Sequence, residues 1–145
     1  MIRETEELVE HEVFFCYRRC DRSTVLLIRR KLRQKGIAVW MDEKNINLGE
    51  PWQQVIDWAL ENSRIVAIAI GLGGLGSYQA QEVDVALDLR DQGKLKVIPV
   101  ILPGALDSDI PARLRRLQYV DFRQKDRPFK RLLDGIRYIL DNGTN

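Results

Sequence analysis

Ile65-Val66-Ala67-Ile68-Ala69-Ile70 is apolar at every position, and Gly71-Leu72-Gly73-Gly74-Leu75-Gly76 and then Ser77 follow it directly. A strand with one wet face alternates apolar and polar residues. A run with no alternation belongs to a strand covered on both faces, as in a parallel sheet lying between two layers of helices. Ser77 reads as an N-cap, and the helix it opens runs to about Asp91 with Val83, Ala86, Leu87 and Arg90 along one face.

The same strand-then-helix alternation continues in both directions. Upstream, Val13–Tyr17 reads as a first buried strand and is followed by a helix from about Ser23 to Lys35, which Gly36 stops. Ile37–Met41 is a second strand, 42–50 a polar loop, and Pro51 stands at the expected first position of a helix carrying Trp52, Val55, Ile56, Ala59 and Leu60. Downstream come a strand at Leu95–Leu102, a short one at Tyr119–Phe122, and a last helix with Phe129, Leu132, Leu133, Ile136, Ile139 and Leu140. Five strands with interposed helices predict an α/β, flavodoxin-like three-layer sandwich: a five-stranded parallel sheet with helices on both faces. Ligands then bind beyond the carboxyl ends of the strands.

Composition narrows the function classes. The 145 residues suit one domain, with 45% hydrophobic and 30% charged residues. A net charge of +2 is too mild for a nucleic-acid partner. No apolar run approaches the roughly 20 residues that span a bilayer, and the acidic start Met1–Glu7 has no leader-like apolar region. Cys16, Cys20 and His11 make neither a disulfide framework nor a zinc site. The expectation is a cytoplasmic, metal-free domain.

Three motifs could carry chemistry. The loop 71–76 matches G-x-G-x-x-G, but it follows the third strand rather than the first, and the next strand ends in Leu102-Pro103 without a carboxylate. A dinucleotide fingerprint needs both features, so the loop reads as a flexible glycine-rich connection. A phosphoacceptor receiver needs clustered acids after the first strand to hold a divalent cation. Here Arg18 and Arg19 stand there instead. The third group is a set of polar residues at the carboxyl ends of the strands: Tyr17, Arg18 and Arg19, then Asp42, Glu43, Lys44 and Asn47, then Tyr78 and Glu82. The last two are four apart on one helix and share a face. Cations, rings and one carboxylate around a cleft suit a nucleotide.

Together these segments resemble the TIR (Toll/interleukin-1 receptor) domain family. Val13-Phe14-Phe15-Cys16-Tyr17-Arg18-Arg19 is similar to its first box, and Val39–Asp42 with Ile46 and Leu48–Trp52 to its second box, the BB loop. Ser63–Ile70 with Tyr78-Gln79-Ala80-Gln81-Glu82 resembles the third strand and the aromatic-x-x-x-Glu segment. Val97–Pro103 and Tyr119–Arg123 resemble the later strands of bacterial-type members. The pattern divides the chain into an extension at 1–11, a TIR domain at 12–141 and a tail at 142–145.

The resemblance implies either of two functions. Many animal members are non-enzymatic adaptors that associate through the BB loop, and such a chain would signal, or subvert host signalling, by contact alone. Many bacterial, plant and axonal members are NAD⁺ hydrolases distinguished by a glutamate after the third strand, a position that Glu82 fills. The enzymatic reading is the expectation, with Glu82 as catalytic residue and Tyr17, Arg18, Asp42, Leu48, Trp52 and Tyr78 around the substrate. The products are nicotinamide and ADP-ribose or its cyclic form. NAD⁺ is substrate, and no cofactor or metal is expected. Asn45, Ile46, Asn47 and Gly49 of the BB loop form the expected contact with other TIR domains in a head-to-tail, filament-forming association. The resemblance also implies an immune or anti-phage effector role, triggered by a sensor domain or partner protein outside this chain.

Several residues have a second reading. Arg18 suits a structural salt bridge as well as a substrate contact, and Trp52 begins the apolar stripe of its helix as well as facing the cleft. Tyr78 stands where the family commonly has tryptophan, and Cys16 where serine is frequent; the latter reads as a small buried residue.

Overall fold

Strand β1, Val13–Cys16, lies second in the sheet and is buried throughout. In the computed structural model, which describes residues 12–41, 49 and 51–142, the side chain of Trp52 excepted, it pairs in parallel with β2, Val39–Met41, on one side and with β3, Ile65–Ile70, on the other. Strand β4, Lys96–Ile101, joins β3 along its full length, and β5, Val120–Asp121, joins only the end of β4 through Val100↔Val120 and Ile101↔Asp121. The sheet order is β2-β1-β3-β4-β5. Chain order reverses direction between β1 and β3, so a crevice opens at their carboxyl ends.

Side-chain alternation builds the two outer layers. Val13 and Phe15 of β1, with Ala67 of β3, face helices α1, Arg22–Gln34, and α5, Pro128–Asp141, which contribute Val25, Ile28, Leu32, Leu132 and Ile136. Phe14 and Cys16, with Val66 and Ile68, face α2, Trp52–Glu61, and α3, Ser77–Asp91, which contribute Ile56, Leu60, Val83, Ala86 and Leu89. All six residues of β3 are buried, the expected consequence of its unbroken apolar run. Phe14 and Trp40 stack across β1 and β2 with ring centroids 4.9 Å apart.

The five strands and four long helices stand where the sequence pattern puts them, with shifted ends. Ser77 is the first helical residue of α3, and Gly76 before it is the cap. The Gly76 N–H is satisfied from within the helix by Oε1 of Gln79 at 3.1 Å. Pro51 likewise stands one residue before α2. The buried stripe of α3 is Gln79, Glu82, Val83, Ala86 and Leu89 rather than one ending on Leu87 and Arg90, and Arg90 is exposed. One turn of helix at Ala112–Arg115, called α4, and a 3₁₀ turn at Asp107–Asp109 lie between β4 and β5 where no element was expected.

Candidate active site

Two of the five buried residues on α3 are polar, and both lie in its first two turns. Gln79 is 2% exposed and Glu82 4%. An amide and a carboxyl in a core must be hydrogen-bonded. Gln79 Nε2 donates to the carbonyl of Ala69 at 2.6 Å and to that of Cys16 at 3.4 Å, while its Oε1 caps the helix. One side chain thus ties the start of α3 to the carboxyl ends of both β1 and β3. Glu82, one turn on, accepts from the Cys16 thiol at 3.2 Å through Oε1. The carboxylate therefore stands at the crevice between β1 and β3, in the α2–α3 layer.

Arg18 follows β1 and lies across the glycine-rich loop. Its Nε is 3.4 Å from Asp21 Oδ2, and Nη2 donates to the carbonyl of Leu72. The glycines of the loop are shaped around that stem: a Cβ on Gly76 would stand 2.5 Å from Arg18 Cγ, and one on Gly73, whose φ is +94°, 2.9 Å from Nη1. The Gly74 N–H closes a turn on the carbonyl of Gly71 at 3.0 Å. The loop is a connection, as expected, but a closely packed one that holds an arginine.

The sequence-chosen residues do not all meet. Tyr17 is buried on the α1–α5 side of the sheet, opposite the layer of Cys16 and Glu82, because consecutive residues leave a strand toward opposite faces. Tyr78 shares a helix face with Glu82 by spacing but is 69% exposed, one turn nearer the helix start. Gly49 is exposed with φ +85°. Trp52 is the first residue of α2. Asp42, Asn45, Ile46, Asn47 and Leu48 lie outside the described residues. Cys16 is buried. Gln79 was missed by the sequence reading. Its signal was available, since 79, 82, 83 and 86 form one helical stripe whose first two members are polar.

A second concavity, of about 410 Å³, lies at the amino end of β4, between the last turn of α3, the chain entering β5, and α5. Arg90, Lys96 and Arg131 line it over a floor that includes Val97 and Leu132, and no carboxylate is among its lining residues. Among the described residues there is no group of three or more His, Cys, Asp or Glu side chains arranged to hold a metal ion. Among them, no helix is long and apolar enough to cross a membrane.

Comparison with solved structures places this arrangement among known folds. The chain is similar to the TIR domain of the Toll-related receptor TRR-2 from Hydra magnipapillata, with 22% identity and a TM-score of 0.72 over 88% of this chain and 98% of that one. It is similar to the TIR domains of the activated Roq1 resistosome, at 17% identity and TM-score 0.73 over 87% and 99% of the two chains. It is also similar to a metazoan TIR-STING receptor from C. gigas, at 23% and 0.68, over 87% of this chain and 40% of that one. No curated protein gives a significant match. The family model described as TIR domain matches residues 13–133, from the first residue of β1 into α5. With the strand order and the match in agreement, this chain belongs to the TIR domain family.

Proposed function

We propose that this protein cleaves the nicotinamide–ribose bond of NAD⁺, with Glu82 as its catalytic residue. The observation that carries this reading is the position of the Glu82 carboxylate: 4% exposed, at the crevice where strand order reverses.

One carboxylate suffices for this reaction. Ordinary glycosidases need two, because a poor alkoxide leaving group must be protonated while water or a nucleophile is activated. In NAD⁺ the nicotinamide is already a cationic pyridinium and leaves as a neutral molecule. The remaining task is to stabilise the oxocarbenium ion that develops on the ribose. An ionised carboxylate near the ribose hydroxyls does so electrostatically, and it acts more strongly in a crevice from which water is excluded. Water then attacks to give ADP-ribose, or the adenine attacks to give a cyclic product. Access of water to the cation decides between them.

The supporting residues take different tasks in this reading. Arg18, fastened to Asp21 and the Leu72 carbonyl, shapes the wall of the crevice, and Tyr78, exposed at the start of α3, offers a ring for stacking. Tyr17 acts from the opposite layer by fixing the exit of β1. Asp42, Leu48 and Trp52 complete the substrate contacts.

Activity is proposed to need association with further copies. The segment 42–50 contains Asp42, Glu43 and Glu50 against Lys44, together with Ile46 and Leu48, so it is acidic with an apolar centre. The concavity lined by Arg90, Lys96 and Arg131 is its complement in charge and floor. The segment and the concavity are different parts of one chain, so a contact between them is heterologous and propagates head to tail. That the Roq1 TIR domains were solved in an activated resistosome supports association as a mode of activation. The same reading makes the chain a cytoplasmic effector of a bacterial immune or anti-phage system, triggered by a sensor outside residues 1–145.

The test is incubation of concentrated protein with NAD⁺ and chromatography of the products. Release of nicotinamide supports the reading, and no release from concentrated or clustered protein contradicts it.

A further inference from the structure

The chain enters β1 close to the concavity lined by Arg90, Lys96 and Arg131. The Glu12 carboxylate is 3.7 Å from Arg64 Nη1, and Arg64 Nη2 donates to the Leu140 carbonyl at 3.1 Å. The Arg64 carbonyl accepts from the Lys96 N–H at 3.0 Å. Lys96 and Ile139, the neighbour of Leu140, both line the concavity. One arginine thus connects the start of β1 to two of its walls. Adjacent strands lie about 4.8 Å apart, so β1 and β4, two places apart in the sheet, are about 10 Å from each other.

Residues 1–11, outside the described residues, carry Glu4, Glu6, Glu7 and Glu10 against Arg3, with Ile2, Leu8 and Val9 among them. The concavity has the complementary character: three cations, no carboxylate in its lining, and a floor that includes Val97, Leu132 and Ile139. Arg90 is shared with Asp91, 3.5 Å from its Nη1, so Lys96 and Arg131 supply most of the attraction. Arg29, Arg30 and Arg33 of α1 line another basic hollow, but Leu26 is the one apolar residue in its lining. Eleven extended residues span at most about 36–40 Å, several times the distance to be crossed. Attachment to the same chain gives the segment a local concentration on the order of millimolar.

We propose that the concavity seats the acidic segment 1–11 of its own chain, which thereby competes with the segment 42–50 of a neighbouring copy. The seat stands on charge, floor and tether, and the competition rests on the reading of this surface as the receiving face in association. Both occupants are acidic with apolar residues between the charges, and one of them is already attached. Assembly then requires neighbours concentrated enough to displace it.

The experiment treats the dilute full chain with a carbodiimide, which joins a carboxylate to a lysine amine where the two are in contact. Links within the monomer are mapped by mass spectrometry. The expected links run from Lys96 to glutamates of segment 1–11 and vanish in Lys96→Arg, which keeps the charge and removes the amine. No link to Lys96, or links to Lys31 and Lys35 of α1 in its place, would overturn the seat. Ultracentrifugation reads the competition. Glu4→Gln, Glu6→Gln, Glu7→Gln and Glu10→Gln together, with folding verified by thermal unfolding, are expected to tighten self-association about threefold or more. Association no tighter than that of wild type would overturn the competition. If Lys96→Glu with Arg131→Glu leaves association unchanged while wild type still forms the Lys96 link, the receiving-face reading falls with the competition and the seat stands, so the two failures are distinct.

Discussion

The thiol of Cys16 and the carboxylate of Glu82 meet at 3.2 Å, joining the last residue of β1 to the second turn of α3. They are 66 residues apart in the chain, and only the parallel crossover brings them together. The contact ties the sheet floor to the residue proposed to face the ribose. It gives a hydrogen-bond partner to a carboxyl in the buried stripe of a helix whose neighbours Val83, Ala86 and Leu89 are apolar.

The glycine-rich loop tests the scaffold. A Cβ on Gly76 meets Arg18 Cγ at 2.5 Å, close to the backbone end of the side chain, where little can yield. Gly76→Ala should destabilise the fold by about 1–3 kcal/mol through overpacking. In an Arg18→Ala background the same substitution should cost much less, because the stem is gone. Urea unfolding of the four-protein cycle measures the coupling. Equal costs in both backgrounds would show that the loop is not shaped by Arg18.

Acid stability should depend on Arg123. Its guanidinium donates to both oxygens of buried Asp121, at 2.9 and 2.8 Å, and reaches the Ala105 carbonyl and Asp107 as well. The side-chain hydrogen bond from Arg123 holds the Asp121 carboxyl below its usual range, against an opposing push from burial. A depressed carboxyl contributes stability that is present above its unfolded value, about 3.9, and is lost as pH falls through the folded one. Arg123→Leu should cost about 2 kcal/mol near pH 7, with the deficit shrinking below about pH 4. Urea unfolding at the two pH values checks both the size and the sign.

Association should depend on the cationic concavity. Reversing charge with Lys96→Glu and Arg131→Glu should weaken concentration-dependent self-association about tenfold or more, and salt should weaken wild-type association in the same sense. Analytical ultracentrifugation across protein and salt concentrations reads both. Glu82→Gln should associate as wild type does. Association unchanged by the reversals would remove this surface as the receiving face.

Much of the fold was legible because its signals are local. The six apolar residues of β3, the Gly36 stop, whose φ is +86°, and the stripe of α5 each specify an element without reference to the rest of the chain. Less was legible where tertiary contacts decide. Gln79 caps α3 and binds two strand ends, tasks that require β1 and β3 to be adjacent. Ser77 looked like the cap because serine usually is one, yet the Arg18 stem requires glycine at 76 and Gln79 supplies the acceptor. Tyr17 and Cys16 are neighbours in sequence but face opposite layers, a parity that a motif read as a string does not show. The helical turn at Ala112–Arg115 has four residues, too few to display a periodicity.

The most direct test of the account is nicotinamide release from NAD⁺ by concentrated wild type beside Glu82→Gln, with folding of the variant verified by thermal unfolding. Glutamine keeps the shape of the side chain and removes the charge that would stabilise the oxocarbenium ion. The account predicts release by wild type and a loss of about a hundredfold or more in the variant. Release by Glu82→Gln at the wild-type rate would contradict it.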